Sequence, residues 1–250
     1  MHGTETPDEQ VRQEICRVGK LLFERGFVAG TEGNISVRLS EREVLVTPTR
    51  VSKGMMTPEM LVKVDLFGRP VEGHRSPTSE LKMHLRIYRE RPDVRAVVHA
   101  HPPYATAHAV AGIPLDRAFL PESVIYVGEV PIAPYGLPST EEVAEAIAPY
   151  LRDHHALLLE NHGAVAWAED LWSAYFLLEN VEQMAKIHFL ARTLGRIRGL
   201  SHARVQELES IKEAMGSSVR SPRGFPCPSG VDICAEDFEQ GSKPRSEKGR

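Results

Sequence analysis

The chain has 250 residues, with 30 Lys and Arg against 34 Asp and Glu, for a formal net charge of −4. That length suffices for one domain with a sizeable core, and the charge balance excludes a bulk electrostatic drive toward nucleic acid. No apolar stretch is long enough for a membrane span, the first residues carry no signal region, and Cys16, Cys227 and Cys234 build no disulfide framework, so a cytoplasmic protein without nucleic-acid or membrane partners is expected.

Thr6-Pro7-Asp8-Glu9 reads as a capping box, and Val11, Ile15, Val18 and Leu22 follow at helical spacing up to Gly26. After the glycine-rich turn at 30–34, residues 35–39 and 43–47 are predicted as paired strands and 60–65 as a third. Ser76-Pro77-Thr78-Ser79 leads a helix bearing Leu81, His84, Leu85 and Tyr88 that ends before Pro92. Residues 94–100 form an apolar strand, and Pro102 and Pro103 open a short helix stopped by Gly112. Residues 125–132 are predicted to supply one or two short strands, and Ser139-Thr140-Glu141-Glu142 a capping box for a helix to about residue 151. Residues 156–159 and 164–168 read as strands around a turn. Asp170 caps a long helix to Leu194, and Ser201 starts a last helix ending at Met215. Interleaved strands and helices, with strand pairs joined by short turns, predict an α/β fold. The expected form is a three-layer α/β/α sandwich with a mixed, largely antiparallel central sheet, spanning residues 1–215. Residues 216–250 are crowded with Ser, Pro, Gly and charges of both signs, and burial there cannot offset ordering entropy, so a disordered tail is expected.

The chemistry concentrates at Val97-Val98-His99-Ala100-His101. Residues two apart on a strand share a face, so His99 and His101 can bind one metal ion. A catalytic zinc usually takes three protein ligands and keeps one position open. His162, in the turn Glu160-Asn161-His162-Gly163, is the best third candidate, and Glu80 a fourth. Taken singly, these are also ordinary turn and core residues. His84 and His108 sit on predicted helices and read as packing or interface residues; His154 and His155 read as surface.

Five segments then belong together: residues 33–38, Thr47-Pro48-Thr49, Pro77-Thr78-Ser79-Glu80, His99-Ala100-His101 and Asn161-His162-Gly163. In this order and spacing they resemble the class II aldolase/adducin family, over about residues 11–215. The resemblance implies that His99, His101 and His162 hold a zinc ion, with manganese or another divalent metal left open. It implies that Glu80 ligates the metal at rest and acts as acid/base once substrate displaces it. Asn34, Thr49, Thr78 and Ser79 would cradle a substrate phosphate. The implied reaction is cleavage or formation of a carbon–carbon bond in a ketose 1-phosphate such as L-fuculose 1-phosphate, through an enediolate. A homotetramer with sites at subunit interfaces is implied as well.

Two departures stand out. Leu120 falls at or near the place of a tyrosine that serves the departing aldehyde in the family's fuculose-phosphate aldolases, which leaves Glu122 and Tyr126 as the nearest auxiliary proton carriers. Arg50 replaces a usual glycine, and with Lys53 it could contact a phosphate or carboxylate, or be a solvated surface cation. Decarboxylases, epimerases and dehydratases of related sugar or sugar-acid phosphates are the alternative activities. A non-enzymatic adducin-like scaffold is the alternative class, and retention of the three histidines with Glu80 argues against it. A metallohydrolase would leave the phosphate loops without a role.

Overall fold

The computed structural model describes residues 7–216 and 220–224. Thr6 of the expected capping box, Cys227, Cys234 and most of the expected tail lie outside the described residues. Eight strands form one sheet: β1 (Asn34–Arg38), β2 (Glu43–Val46), β3 (Val62–Asp65), β4 (Pro70–Glu72), β5 (Ala96–Ala100), β6 (Ile132–Ala133), β7 (Ala156–Leu159) and β8 (Gly163–Ala168). Their order is β4-β3-β2-β1-β5-β8-β7-β6, antiparallel throughout except for the parallel β6–β7 pair. The helices are α1 (Pro7–Glu24), α2 (Leu81–Glu90), α3 (Pro103–Ala111), α4 (Glu141–Ile147), α5 (Leu171–Leu194) and α6 (His202–Ala214).

Strand alternation sorts the core into two layers. Ile35 and Val37 of β1 and Ala96, Val98 and Ala100 of β5 pack with Ile15, Val18 and Leu22 of α1, Ala105 and Ala109 of α3, and the buried stripe of α5. Val97 of β5 and Val165 and Trp167 of β8 face the other way, with Met83, Ile87 and Tyr88 of α2 and Val143 and Ile147 of α4. The expected sandwich is therefore present. The same parity turns His99 and, on β1, Asn34 and Ser36 toward α2. Asn34 lies directly opposite His99 in register, and Glu80 immediately precedes the first residue of α2.

Several local expectations are corrected. Residues 123–127 form a wide helical turn rather than a strand, and only Ile132–Ala133 joins the sheet. Val124 finds burial with Ala118 and with Val205 of α6, Gly128 turns the chain with φ 79°, and Pro131 has no N–H for a ladder. The third strand begins at Val62, because Pro58–Met60 makes a tight turn of its own. Thr140, not Ser139, caps α4 and accepts from the Glu142 backbone N–H. That helix gives way at Ala148–Tyr150 to a tighter turn containing Pro149. His154 is buried rather than on the surface. Within the expected tail, residues 220–224 contact the domain: the Arg223 backbone pairs with Asp116 and Ala118, and the Arg220 carbonyl accepts from Glu129.

Candidate metal centre

His99 is the penultimate residue of β5, fully buried, and His101 follows the strand's end. His162 sits in the β7–β8 hairpin, where Asn161 adopts a left-handed φ of 54° and the His162 N–H bonds the Leu159 carbonyl. Gly163 lets this turn close on β5. A Cβ there would lie 2.6 Å from the Ala100 carbonyl oxygen and 2.6 Å from the His101 ring. The three imidazoles converge edge to face with centroids 4.8–5.0 Å apart. Among the described residues they form the one group of three or more His, Cys, Asp or Glu with metal-ligand spacing.

The donor set fits a divalent cation. His99 Nδ1–H donates to the Ala164 carbonyl at 2.9 Å, which leaves the Nε2 lone pair for a ligand. His99 Nε2 and His101 Nε2 are 3.2 Å apart; two nitrogens on a tetrahedral zinc stand about 3.3 Å apart. Glu80 Oε2 is 3.1 Å from His99 Nε2, and Oε1 is 3.2 Å from His162 Nε2. Oε1 is nonetheless buried and accepts no well-aligned hydrogen bond, so its lone pairs are open to a cation.

For two of the three imidazoles, electrostatics point the same way. Burial and then the neighbouring rings hold His101 down to about 3 and His162 down to about 4, and a metal needs such neutral imidazoles. Burial works on His99 too, yet the Glu80 carboxylate raises its pKa above the ordinary value. For Glu80, burial opposes ionisation, but His99, His162 and the Asn34 N–H together hold it well below the usual carboxylate range.

A cleft of about 300 Å³ opens beside this cluster, lined by Glu80 and His162 together with Asn34, Thr49, Arg50, Lys53, Thr78 and Ser79. Two loops form its wall: Thr49 N–H donates to the Ser76 carbonyl and Thr78 N–H to the Thr47 carbonyl. Thr78 Oγ1 accepts from the Glu80 N–H at 3.3 Å. The sequence thus brings all four expected phosphate-cradle residues to one cleft. Asn34, however, spends its amide inside the protein: Nδ2 donates to Glu80 Oε2 at 2.8 Å, and Oδ1 meets the buried His84 ring.

Arg50 is exposed at the rim with φ 59°, a left-handed geometry that explains a glycine preference there. Lys53 is not a surface cation. It is fully buried, its Nζ donates to the Thr31 and Val51 carbonyls at 2.9 and 2.6 Å, and burial pushes its pKa down to about 8 against the pull of Glu32. Glu32 is folded back, accepting from the Ala29 N–H. Tyr126 lines a different cavity with His155, Trp167 and Ala168. Ala168 pairs with Ala96 at the far end of β5, so Tyr126 does not reach the histidines of its own chain. Glu122 is exposed and does not line the cleft either.

Comparison with known proteins matches this architecture to a family. Residues 13–189 fit the model of the class II aldolase and adducin N-terminal domain. The chain belongs to the class II aldolase family. It is 35% identical over 209 residues to a 3-oxo-tetronate 4-phosphate decarboxylase of Escherichia coli K12, covering 81% of this chain and 97% of that protein. It is 34% identical over 211 residues to a 5-deoxy-D-ribulose 1-phosphate aldolase of Bacillus thuringiensis serovar kurstaki, covering 83% and 98%. A solved L-fuculose 1-phosphate aldolase superposes with a TM-score of 0.77 at 34% identity, over 86% of this chain and 100% of that one. Class II aldolase family enzymes act on sugar phosphates, and their chemistry is metal-dependent. No helix among the described residues is long and apolar enough to cross a membrane.

Proposed function

We propose that this protein is a metal-dependent lyase that decarboxylates a phosphorylated 3-oxo sugar acid. Zinc is the proposed metal, held by His99, His101, His162 and, at rest, Glu80. Thr49, Thr78 and Ser79 would take the phosphate through their hydroxyls, with the buried charge of Lys53 close by. A bound divalent cation would supply Lewis-acid stabilisation of the negative charge that develops on the ketone oxygen. Breaking the bond to the carboxylate leaves its electron pair on the carbon beside the ketone, as an enediolate. A proton must then reach that carbon; Glu80, once displaced from the metal, would take one up from solvent and deliver it there.

What favours decarboxylation over aldol cleavage is the leucine at position 120, at or near the place of the aldolases' tyrosine, together with the similarity to 3-oxo-tetronate 4-phosphate decarboxylases. A departing aldehyde needs its oxygen's proton managed, whereas carbon dioxide leaves without one. Aldol cleavage of a ketose 1-phosphate, L-fuculose 1-phosphate included, is the second reading; similarity to aldolases of that type supports it. Cytoplasmic residence and a homotetramer that completes each site at an interface belong to the same proposal.

The test is a panel of 3-oxo sugar-acid phosphates and ketose 1-phosphates given to zinc-loaded protein. Metal-dependent release of carbon dioxide is expected. An aldehyde product without carbon dioxide establishes the aldol reading instead. No stoichiometric metal and no turnover would leave a scaffold.

A further inference from the structure

Glu80, His84 and Tyr88 are spaced by four and so share one face of α2 and its leading residue. Asn34 and Ser36 are spaced by two and share one face of β1. The two stripes meet in a continuous chain of hydrogen bonds. Tyr88 Oη and Ser36 Oγ are 2.8 Å apart, Ser36 Oγ and His84 Nδ1 are 2.7 Å apart, His84 Nε2 meets Asn34 Oδ1, and Asn34 Nδ2 reaches Glu80 Oε2 at 2.8 Å. His84 and Ser36 are fully buried, and Tyr88 and Asn34 nearly so.

The donors have one consistent direction. An ionised carboxylate only accepts, so the Asn34 amide must turn its NH₂ toward Glu80 and its oxygen toward His84. That oxygen also only accepts, so His84 Nε2 must carry a hydrogen. Its two ring nitrogens meet Ser36 and Asn34 rather than a carboxylate, and burial keeps the ring neutral against the pull of the Glu80 charge, which leaves Nδ1 as a bare acceptor. Ser36 must then donate to Nδ1 and can accept from Tyr88, whose alternative acceptor, the Arg95 carbonyl, is farther away at 3.5 Å. Every proton in the chain points toward Glu80, an arrangement in which each bond polarises the next.

We propose that His84, held by Ser36 and Tyr88 as the neutral Nε2–H tautomer, is a positioning residue that locks Asn34 and thereby aims the Glu80 carboxylate. The role assigned to Glu80 rests on the reading given under Proposed function; the tautomer and the lock do not. Asn34 on this account orients the acid/base rather than binding phosphate.

The experiment has two arms on the full-length protein. Nitrogen-15 NMR of the His84 ring should show a protonated Nε2 and a bare Nδ1 near pH 7. In Ser36→Ala this single tautomer should give way to a mixture. A protonated Nδ1 or a charged ring in the unsubstituted protein overturns the proposal, whether or not any substrate is turned over. The second arm compares His84→Gln, whose amide can still donate at the Nε2 position, with His84→Asn, which can only fill the Nδ1 position. With melting temperature and metal content as controls, His84→Asn should lower kcat by about 10–100-fold with KM little changed, and His84→Gln should recover most of it. If His84→Asn does not fold, Ser36→Ala carries the same kcat comparison. Equal kcat in the Gln and Asn variants overturns the lock. An unsubstituted protein inactive on the whole panel defeats the lyase reading alone, and the NMR arm still decides the tautomer on which the lock depends.

Discussion

Lys53→Met is the sharpest test of how the cleft floor is built. The ammonium is fully buried and bonds two carbonyls, Thr31 from one loop and Val51 from the next. Burial moves its pKa from 10.5 down to about 8. At about 1.4 kcal/mol per tenfold change in proton affinity, this corresponds to about 3 kcal/mol of folding stability withheld while the group is charged in both states. The unfolded chain holds the proton up to 10.5 and the folded protein only to about 8. Stability from this group therefore rises with pH between those values and is constant below them. In Lys53→Met that rise disappears, while contributions from all other groups stay common to both proteins. At pH 7 the loss of the charged group's cost is offset by two carbonyls left without a donor, at about 1–3 kcal/mol each. The variant should therefore lie within a few kcal/mol of the parent there. Urea denaturation of both proteins from pH 7 to 10.5 measures the difference directly. It should change by about 3 kcal/mol across the window; a difference independent of pH would show that Lys53 is not a buried cation. Affinity for inorganic phosphate, read by calorimetry at pH 7, should fall in the variant.

Glu80→Gln should keep stoichiometric metal on the three histidines, by mass spectrometry, while turnover falls by about 10²–10⁴-fold; unchanged turnover removes Glu80 from the chemistry. Gly163→Ala should cost about 1–3 kcal/mol in thermal stability and weaken metal affinity, because the added methyl meets the Ala100 carbonyl and the His101 ring. Glu182→Ala should cost about 1–2 kcal/mol in urea denaturation. The Glu182 carboxylate, on α5, accepts from the Tyr104 and Ala105 N–H groups and so caps α3 just after His101.

The ligand spacing was legible because a strand shows its alternation in a few residues: His99 and His101 needed only period two and an apolar run before them. The boundaries of α5 and α6 were legible from Asp170 and Ser201, local caps that act through neighbouring N–H groups. Residues 123–127 were not, since a β-branched run promises burial without saying against what. Here the partner is α6 rather than the sheet. Lys53 gave no sign of burial, because a lysine looks the same in sequence whether water or two carbonyls receive its charge. His84 by itself reads as a packing or interface residue. Its spacing from Glu80 and Tyr88 was visible, but the partners Asn34 and Ser36 lie about fifty residues away on another strand.

Periodicity, caps and short motifs act within a few residues along the chain, so sequence alone determined most of the elements, though not the turn at 123–127 or the edge strand β4, and which imidazoles and carboxylate could share a cation. The order of strands, which sets β1 beside the metal strand with both facing α2, depends on contacts between distant segments. Only that packing decided that Asn34 turns inward to Glu80, that Lys53 is enclosed, and that Tyr126 stands at the opposite end of the sheet.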